Sequence, residues 1–220
     1  LIKLKEDIMK KLLTVILFAM FTVTHVSAER GVNIGISGNA GLFSASAKEV
    51  ADETHQGSEH GEAAWPSVFI EKTLGDRFAI GIDYVPAALE TETAETAKFD
   101  MTSSATASSK TNKVQVDFED LTTIYLALNL TDNMYIKAGR VSVDVITNES
   151  LGTGSSYGNT SLDGTQLGFG VNNDFGNGMF IRLEGSYMSF DGASLTSNDN
   201  TITLKSLDGL SGKLAIGKSF

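Results

Sequence analysis

Apolar residues recur at every second position along most of the chain after residue 30, and this period constrains the fold most. Ile80 and Ile82, for example, alternate with Gly81 and Asp83. Such a period is typical of β-strands with two different faces, because successive side chains point to opposite sides. The sequence therefore predicts an all-β fold. Eight segments carry the pattern, at residues 32–37, 67–74, 78–84, 122–130, 134–147, 166–172, 179–187 and 210–220.

The connections between these segments alternate between short and long. Short turns are predicted at residues 75–76, 131–133 and 174–178. Long polar loops are predicted at residues 44–63, 88–112, 148–163 and 191–201. A chain with tight turns at one end and long loops at the other is an antiparallel up-and-down meander. This asymmetry is typical of transmembrane barrels.

The polarity of the two faces separates a membrane barrel from a soluble one. A soluble barrel would have an apolar interior and a polar exterior. Here one face is consistently aliphatic, whereas the other carries Gly, Ser, Asn and charged residues at a density that soluble cores do not tolerate. We therefore interpret the aliphatic face as the lipid-facing one. Residues 29–220 are predicted to form an eight-stranded antiparallel up-and-down transmembrane β-barrel, in which closure satisfies every backbone polar group.

The first 28 residues have the order of an export signal. Lys10 and Lys11 precede an apolar run at residues 12–23, and small residues lead to a cleavage site after Ala28. The run is shorter than the ~20 residues of a membrane-spanning helix. We expect upstream residues followed by a secretory signal peptide that starts at Met9.

Charge and composition exclude several classes of function. The formal net charge is −10, which argues against binding to nucleic acid, because phosphates attract clustered Lys and Arg. The chain has no Cys, so disulfides, thiolate metal sites and cysteine nucleophiles are excluded. We expect no cofactor.

The signal, the eight strands and the final segment together resemble the small outer-membrane β-barrels of Gram-negative bacteria, which include OmpA-type, OmpX-type and OmpW-type proteins. Leu214, Ile216 and Phe220 are similar to the terminal signal read by the barrel-assembly machinery. The resemblance implies export through the periplasm and location in the outer membrane. It also implies a monomer surrounded by outer-membrane lipids and lipopolysaccharide. It brings no catalytic motif.

Alternation assigns four acidic and four basic residues to the lumen. An eight-stranded barrel is only wide enough for side chains to fill, so buried charges must pair there. The sequence therefore predicts a lumen plugged by ion pairs, and an envelope-structural or surface-interaction role. The alternative is a narrow porin-like channel for small solutes or cations, gated by exchange among the pairs. The eight residues are Glu71, Asp83, Lys137, Arg140, Asp144, Arg182, Glu184 and Lys213.

Segment 134–147 requires an irregularity to fit this assignment. Strict alternation from Ile136 would direct Arg140 and Asp144 into lipid, at a cost of roughly 2–4 kcal/mol for an Arg at the membrane midplane. We therefore predict a β-bulge at Gly139–Arg140 that turns both charges inward.

Two further sets of residues receive roles from their positions. Inward glycines are expected to make room for large neighbours, and aromatic residues near strand ends are expected to form interfacial girdles. The glycines are Gly35, Gly81, Gly168, Gly170 and Gly217; the aromatic residues are Trp65, Phe78, Tyr84, Tyr135, Phe175, Tyr187 and Phe220.

His55 and His60, with acidic neighbours, are weak candidates for a metal site. A remote alternative function is a lipid A-modifying enzyme that uses one of these histidines with Asp100 and Ser103 or Ser104. The residues of such a site must be held within hydrogen-bond distance of one another, and long loops do not fix their side chains in this way. We therefore predict no enzymatic activity.

Overall fold

The computed structural model describes residues 31–50, 54–100, 108–151, 156–197 and 200–220, and nearly all of them are in β-strands. The predicted leader lies outside the described residues. Within these ranges, no helix has the length and hydrophobicity of a membrane-spanning segment. The strands are β1 (Val32–Val50), β2 (Thr54–Leu74), β3 (Phe78–Tyr84), β4 (Leu89–Glu90), β5 (Ala94–Asp100), β6 (Ser108–Asn129), β7 (Met134–Leu151), β8 (Thr160–Asp174), β9 (Met179–Phe190), β10 (Ala193–Ser197) and β11 (Asn200–Ser219).

Eight of these strands close into a ring. Their hydrogen-bonded order is β1, β2, β3, β6, β7, β8, β9 and β11, and every neighbouring pair is antiparallel. The ring closes because β11 pairs with β1 from Asn33↔Ser219 to Val50↔Thr201. The predicted eight-stranded up-and-down barrel is confirmed. Strands β4 and β5 pair with β6, and β10 pairs with β11, so these three lie outside the ring.

The two ends of the barrel differ, as the sequence predicted. Connections of three or four residues lie at one end, called here the turn end, where β1 starts and β11 finishes. Gly75 has φ 66° in the first of these turns, a conformation that glycine adopts without strain. At the opposite end, the loop end, the predicted loops were too long. Residues 44–63, for instance, belong largely to the β1–β2 hairpin, because the ladder continues to Val50↔Thr54.

The ring divides towards the loop end. In the described part of the chain, residues 54–67 of β2 pair with β1 alone, and β5 pairs with β6 alone. The outer parts of β2, β1, β11 and β10 form one ribbon, and those of β5, β6 and β7 form a second. The loop end is therefore two facing ribbons standing on a closed ring.

Strand β7 shows where the outer surface changes from apolar to polar. Near the turn end, Ile136 points outward and is 42% exposed, and Lys137 points inward. Farther along the same uninterrupted alternation, Arg140 points outward while Val141 is buried. The polarity of both faces therefore inverts at Arg140, which marks the border of an apolar outer band.

Tyrosines mark the same border on other strands. Tyr84 donates a hydrogen bond to Asp120 at 2.6 Å, and Tyr187 donates one to Asp208 at 2.7 Å. Both bonds lie on the exposed outer surface, where an aromatic ring can face an apolar medium while its hydroxyl meets a polar one. Tyr84 and Tyr187 thus occupy the girdle position that the sequence predicted for them.

The predicted bulge at Gly139–Arg140 is wrong. The register of β7 with β8 is continuous from Met134 to Val145, so Arg140 and Asp144 point outward and are exposed. The irregularity lies instead in β6, where two residues, Asp120 and Leu121, stand opposite Val143. An outward Arg is acceptable at the border because a lipid-facing charge costs only about 0–1 kcal/mol near the membrane interface.

The border can be tested by comparing two outward positions. Leu126 lies on the outer face of β6, two residues closer to the turn end than Ile124, which pairs with Arg140. Its side chain is 48% exposed. We expect Leu126→Arg to lower the free energy of unfolding in phospholipid vesicles by roughly 2–4 kcal/mol, and Arg140→Leu to change it by less than about 1 kcal/mol. Denaturant titrations would measure both. Strong stabilisation by Arg140→Leu would place Arg140 within the membrane instead.

Candidate functional site: the barrel interior

Several layers succeed one another inside the barrel from the turn end to the loop end. A vestibule of about 310 Å³ lies at the turn end and reaches Arg182. An ion-pair layer follows, and beyond it a cavity of only about 20 Å³ separates this layer from an apolar plug. Outside the plug, between the two ribbons, lies a chamber of about 620 Å³.

The ion-pair layer is built around Glu71 and Arg182. Arg182 Nη1 and Nη2 donate to the two carboxylate oxygens of Glu71 at 2.5 and 2.7 Å, the bidentate geometry that makes such pairs strong. Tyr125 donates to Glu71 Oε1 at 2.8 Å, and Asn33 donates to Oε2 at 3.1 Å. The Glu71 side chain is only 1% exposed, so these donors together replace the water that it loses on burial.

Two more pairs complete the layer. Lys137 Nζ donates to Glu184 at 2.5 Å, and Tyr135 donates to the second oxygen of the same carboxylate at 2.7 Å. Both charged side chains are 3% exposed. Lys213 donates to Asp83, and this pair is nearly as buried.

Each pair joins strands that are not neighbours in the ring. Glu71 and Arg182 connect β2 with β9, Lys137 and Glu184 connect β7 with β9, and the third pair connects β3 with β11. The pairs Glu71–Arg182 and Asp83–Lys213 therefore link strands three places apart in the ring, and Lys137–Glu184 links strands two places apart. Removing one partner of a buried pair typically costs about 3–5 kcal/mol, because the remaining charge is left uncompensated.

Six of the eight residues assigned to the lumen charges thus come together, and two do not. Arg140 and Asp144 lie on the outer surface because the alternation of β7 is unbroken. The sequence also placed Tyr135 and Trp65 in the interfacial girdles, and this is wrong, since both are inside the barrel at 4% and 6% exposure. Their position on the inward alternation of β7 and β2 was the signal that could have identified them.

Aromatic rings around Arg182 are part of the site that sequence reasoning missed. The guanidinium carbon lies 4.7 Å from the ring centre of Phe180, 5.3 Å from Tyr135 and 5.5 Å from Phe69. Cation–π contacts of this kind are strongest where water is excluded. The rings therefore hold Arg182 in position and close the space around it.

Four of the five inward glycines make the space for these rings, as the sequence predicted, whereas Gly168 lies against no ring. A Cβ on Gly170 would lie 2.4 Å from Cζ of Tyr135, and one on Gly81 would lie 2.6 Å from Cζ of Tyr125. A Cβ on Gly35 would overlap the ring of Phe69 in the same way, and a Cβ on Gly217 would overlap the ring of Phe180. Each large inward ring thus lies against an inward glycine on a neighbouring strand.

The apolar plug closes the lumen beyond the ion pairs. Trp65 lies on the side of the plug that faces the ion-pair layer, with its ring centroid 5.8 Å from that of Phe43. The β6 bulge contributes by changing the phase of that strand, so that Phe118 also packs against the plug. The buried residues of the plug are Trp65, Val85, Leu121, Val141, Val143, Leu162, Met188, Phe190 and Leu207.

The chamber lies on the outer side of the plug. Leu162 and Leu207 belong to both and form its floor, and most of the remaining wall is aliphatic. Glu49 and Glu149 are the charged residues of the lining. Asn112 also lines the chamber, and its buried Oδ1 has no hydrogen-bond partner among the described residues.

The remaining predicted residues lie away from the interior. Leu214 and Ile216 point outward within the apolar band, and the backbone of Phe220 exchanges two hydrogen bonds with Val32. His60 is exposed on the outer face of β2, while the side chain of His55 lies outside the described residues, as do Ser103 and Ser104. Among the residues that the structure describes, no group of His, Asp and Glu is arranged to hold a metal ion.

Solved structures that align with this chain include an outer membrane protein, a surface protein and an outer membrane protease. The outer membrane protein OprG from Pseudomonas aeruginosa aligns with a TM-score of 0.51 and 10% identity, over 86% of this chain and 95% of that one. Neisserial surface protein A aligns with a TM-score of 0.40 and 11% identity, over 83% and 97%. The outer membrane protease OmpT from Escherichia coli aligns with a TM-score of 0.42 and 7% identity, over 91% and 100%.

No protein-family model and no curated protein sequence matches the chain. The comparisons therefore concern the fold. The chain has the fold of the small Gram-negative outer-membrane β-barrels.

The fit between glycine and tyrosine can be tested within one strand. We expect Gly170→Ala to lower the free energy of unfolding by about 1–3 kcal/mol, because the new methyl group overlaps Tyr135. Gly168→Ala is the matched control on the same face of β8, since its Cβ would lie no closer than 3.4 Å to Glu184. Denaturant titration of the refolded barrel measures both. Equal stability of the two variants would contradict the proposed steric role of Gly170.

Proposed function

We propose that this outer-membrane barrel is closed to solutes and has an envelope-structural or surface-interaction role. The observation that carries the proposal is the ion-pair layer, in which Arg182 and Glu71 meet across the lumen in a bidentate pair. A barrel of eight strands leaves little room beside such a layer. Ions would have to displace groups that are themselves paired and buried.

The plug supports the same proposal independently of the charges. The space between the ion-pair layer and the plug is about 20 Å³, close to the least that one water molecule needs. Beyond it, Trp65 and Met188 are 6% and 2% exposed in an apolar cluster. An apolar constriction resists wetting, so it opposes ion passage even when no charge blocks the way.

The alternative is a narrow channel that opens when the ion pairs exchange partners. It is favoured by the vestibule of about 310 Å³, which brings the turn-end solvent to Arg182. In that case loss of the ion pairs alone would open the lumen. If the ion-pair layer and the plug both close the lumen, both must be removed before ions can pass.

Single-channel recording in planar bilayers distinguishes these functions. We expect the purified, refolded protein to be electrically silent. The double variant Glu71→Ala/Arg182→Ala removes a complete ion pair, and Trp65→Ala/Met188→Ala weakens the plug; each is expected to remain silent. Only the combination of all four changes is expected to give discrete conductance steps.

A matched control is the outward double variant Leu183→Ala/Leu214→Ala, which truncates two exposed residues of the apolar band. It reports any leak that comes from a weakened barrel, and circular dichroism verifies that each variant is folded. Discrete steps from the unmodified protein, or from the ion-pair variant alone, would support the channel and contradict the closed barrel.

A further inference from the structure

The small cavity between the ion-pair layer and the plug is lined by both apolar and polar side chains. Its volume of about 20 Å³ is above the roughly 10–15 Å³ that one water molecule requires. Val85 and Met188 line it from the plug. Gln166, Ser211 and Lys213 also line it, so groups that form hydrogen bonds face the same space.

Gln166 has one polar atom that the protein does not satisfy. The residue is 7% exposed, and its Nε2 donates to Ser186 Oγ at 3.1 Å. Its Oε1 is buried and has no hydrogen-bond partner within the described ranges of the chain. Native proteins rarely leave a buried acceptor unpaired, because this costs free energy. Exchanging the two ends of the amide would leave Nε2 unpaired instead, so Gln166 requires a further partner in either orientation.

Lys213 offers a donor to the same cavity. Its Nζ donates to Asp83, and the two side chains are 12% and 10% exposed. An ammonium group has three N–H donors, and the bond to Asp83 uses one of them. A ligand that accepts from Lys213 Nζ and donates to Gln166 Oε1 would therefore satisfy groups on two sides of the cavity.

Size and charge restrict the chemistry of this ligand. A metal cation would face the ammonium of Lys213, and an anion would face the carboxylate of Asp83, so each would be repelled by one of them. Neither a metal cation nor a simple anion both accepts and donates hydrogen bonds. Water does both, and the cavity has room for one molecule.

We propose that one water molecule binds in this cavity, where it accepts a hydrogen bond from Lys213 Nζ and donates one to Gln166 Oε1. It extends the ion-pair layer by a continuous series of hydrogen bonds. The series runs from Asp83 through Lys213, the water and Gln166 to Ser186, which shares a hydrogen bond with Ser211 at 2.9 Å. The site thus links β3, β8, β9 and β11 below the plug.

This water site goes beyond the closed-barrel function, because a barrier to ions does not need an ordered water. A crystal structure of the refolded protein tests the site directly. We expect one ordered water within hydrogen-bond distance of both Gln166 Oε1 and Lys213 Nζ. An unmodified protein without that water would overturn the proposal.

Two variants with the same added methyl group test where the water lies. Val85→Ile enlarges a residue that lines the cavity, so it is expected to expel the water. Val143→Ile is the matched control, since Val143 belongs to the plug but does not line the cavity, and the water is expected to remain. Oxygen-17 magnetic relaxation dispersion counts long-lived internal waters in solution. Equal counts for the unmodified protein and Val85→Ile would contradict this location.

A double-mutant cycle tests the hydrogen bond to Gln166. Expelling the water with Val85→Ile leaves Oε1 without a donor, whereas Gln166→Met keeps the length of the side chain and removes this acceptor. We therefore expect Val85→Ile to lower the folding equilibrium constant about tenfold more in the unmodified background than in the Gln166→Met background. Denaturant titrations of the four proteins measure this difference. An equal effect in both backgrounds would refute the bond to Gln166.

The outcomes separate this proposal from the closed-barrel function. An electrically silent barrel that lacks the ordered water would overturn the water site and leave the closed barrel supported. A conducting barrel that holds the water at Gln166 and Lys213 would overturn the closed barrel and support the site.

Discussion

The interior of this protein depends on the hydrogen bonds between β1 and β11, which close eight strands into one ring. Closure satisfies the backbone of every strand that crosses the hydrocarbon region. It also fixes a narrow lumen, because the diameter of a barrel grows with its number of strands. The side chains that point inward must therefore fill most of that space, and each charged one must find a partner within it.

The ion-pair layer and the plug fill the lumen of the same barrel in two different ways. Where the barrel is surrounded by lipid, the outward residues are apolar and the lumen holds Glu71, Arg182 and the other paired charges. Where the strands extend into solvent, the outward residues are polar and the interior becomes apolar around Trp65. Along β7, each level thus has one apolar and one polar face, and the surroundings of the barrel decide which of them points outward.

Most of the ring could be predicted from the sequence, since strand number, turn positions and the direction of Glu71, Asp83 and Lys213 follow from alternation alone. Alternation separates two faces but does not say which one is inside, and the prediction failed where the polarity inverts at Arg140. The bulge was missed for another reason. Its position depends on how β6 pairs with β7, so it belongs to two strands together and leaves little trace in either sequence.

The extra residue in β6 has a further consequence for how this protein can change over generations. Asp120, with φ 54°, and Leu121 share one position opposite Val143, and beyond them Phe118 and Val116 point inward. Losing one codon here would remove the bulge and keep Glu119 opposite Asp144, so Phe118 and Val116 would still point inward. A single in-frame deletion would thereby simplify the pairing of β6 with β7 and leave both the aliphatic wall of the chamber and the strands nearer the turn end in place. The chain can thus gain or lose one residue at this point without turning Asp117 and Glu119 towards the interior.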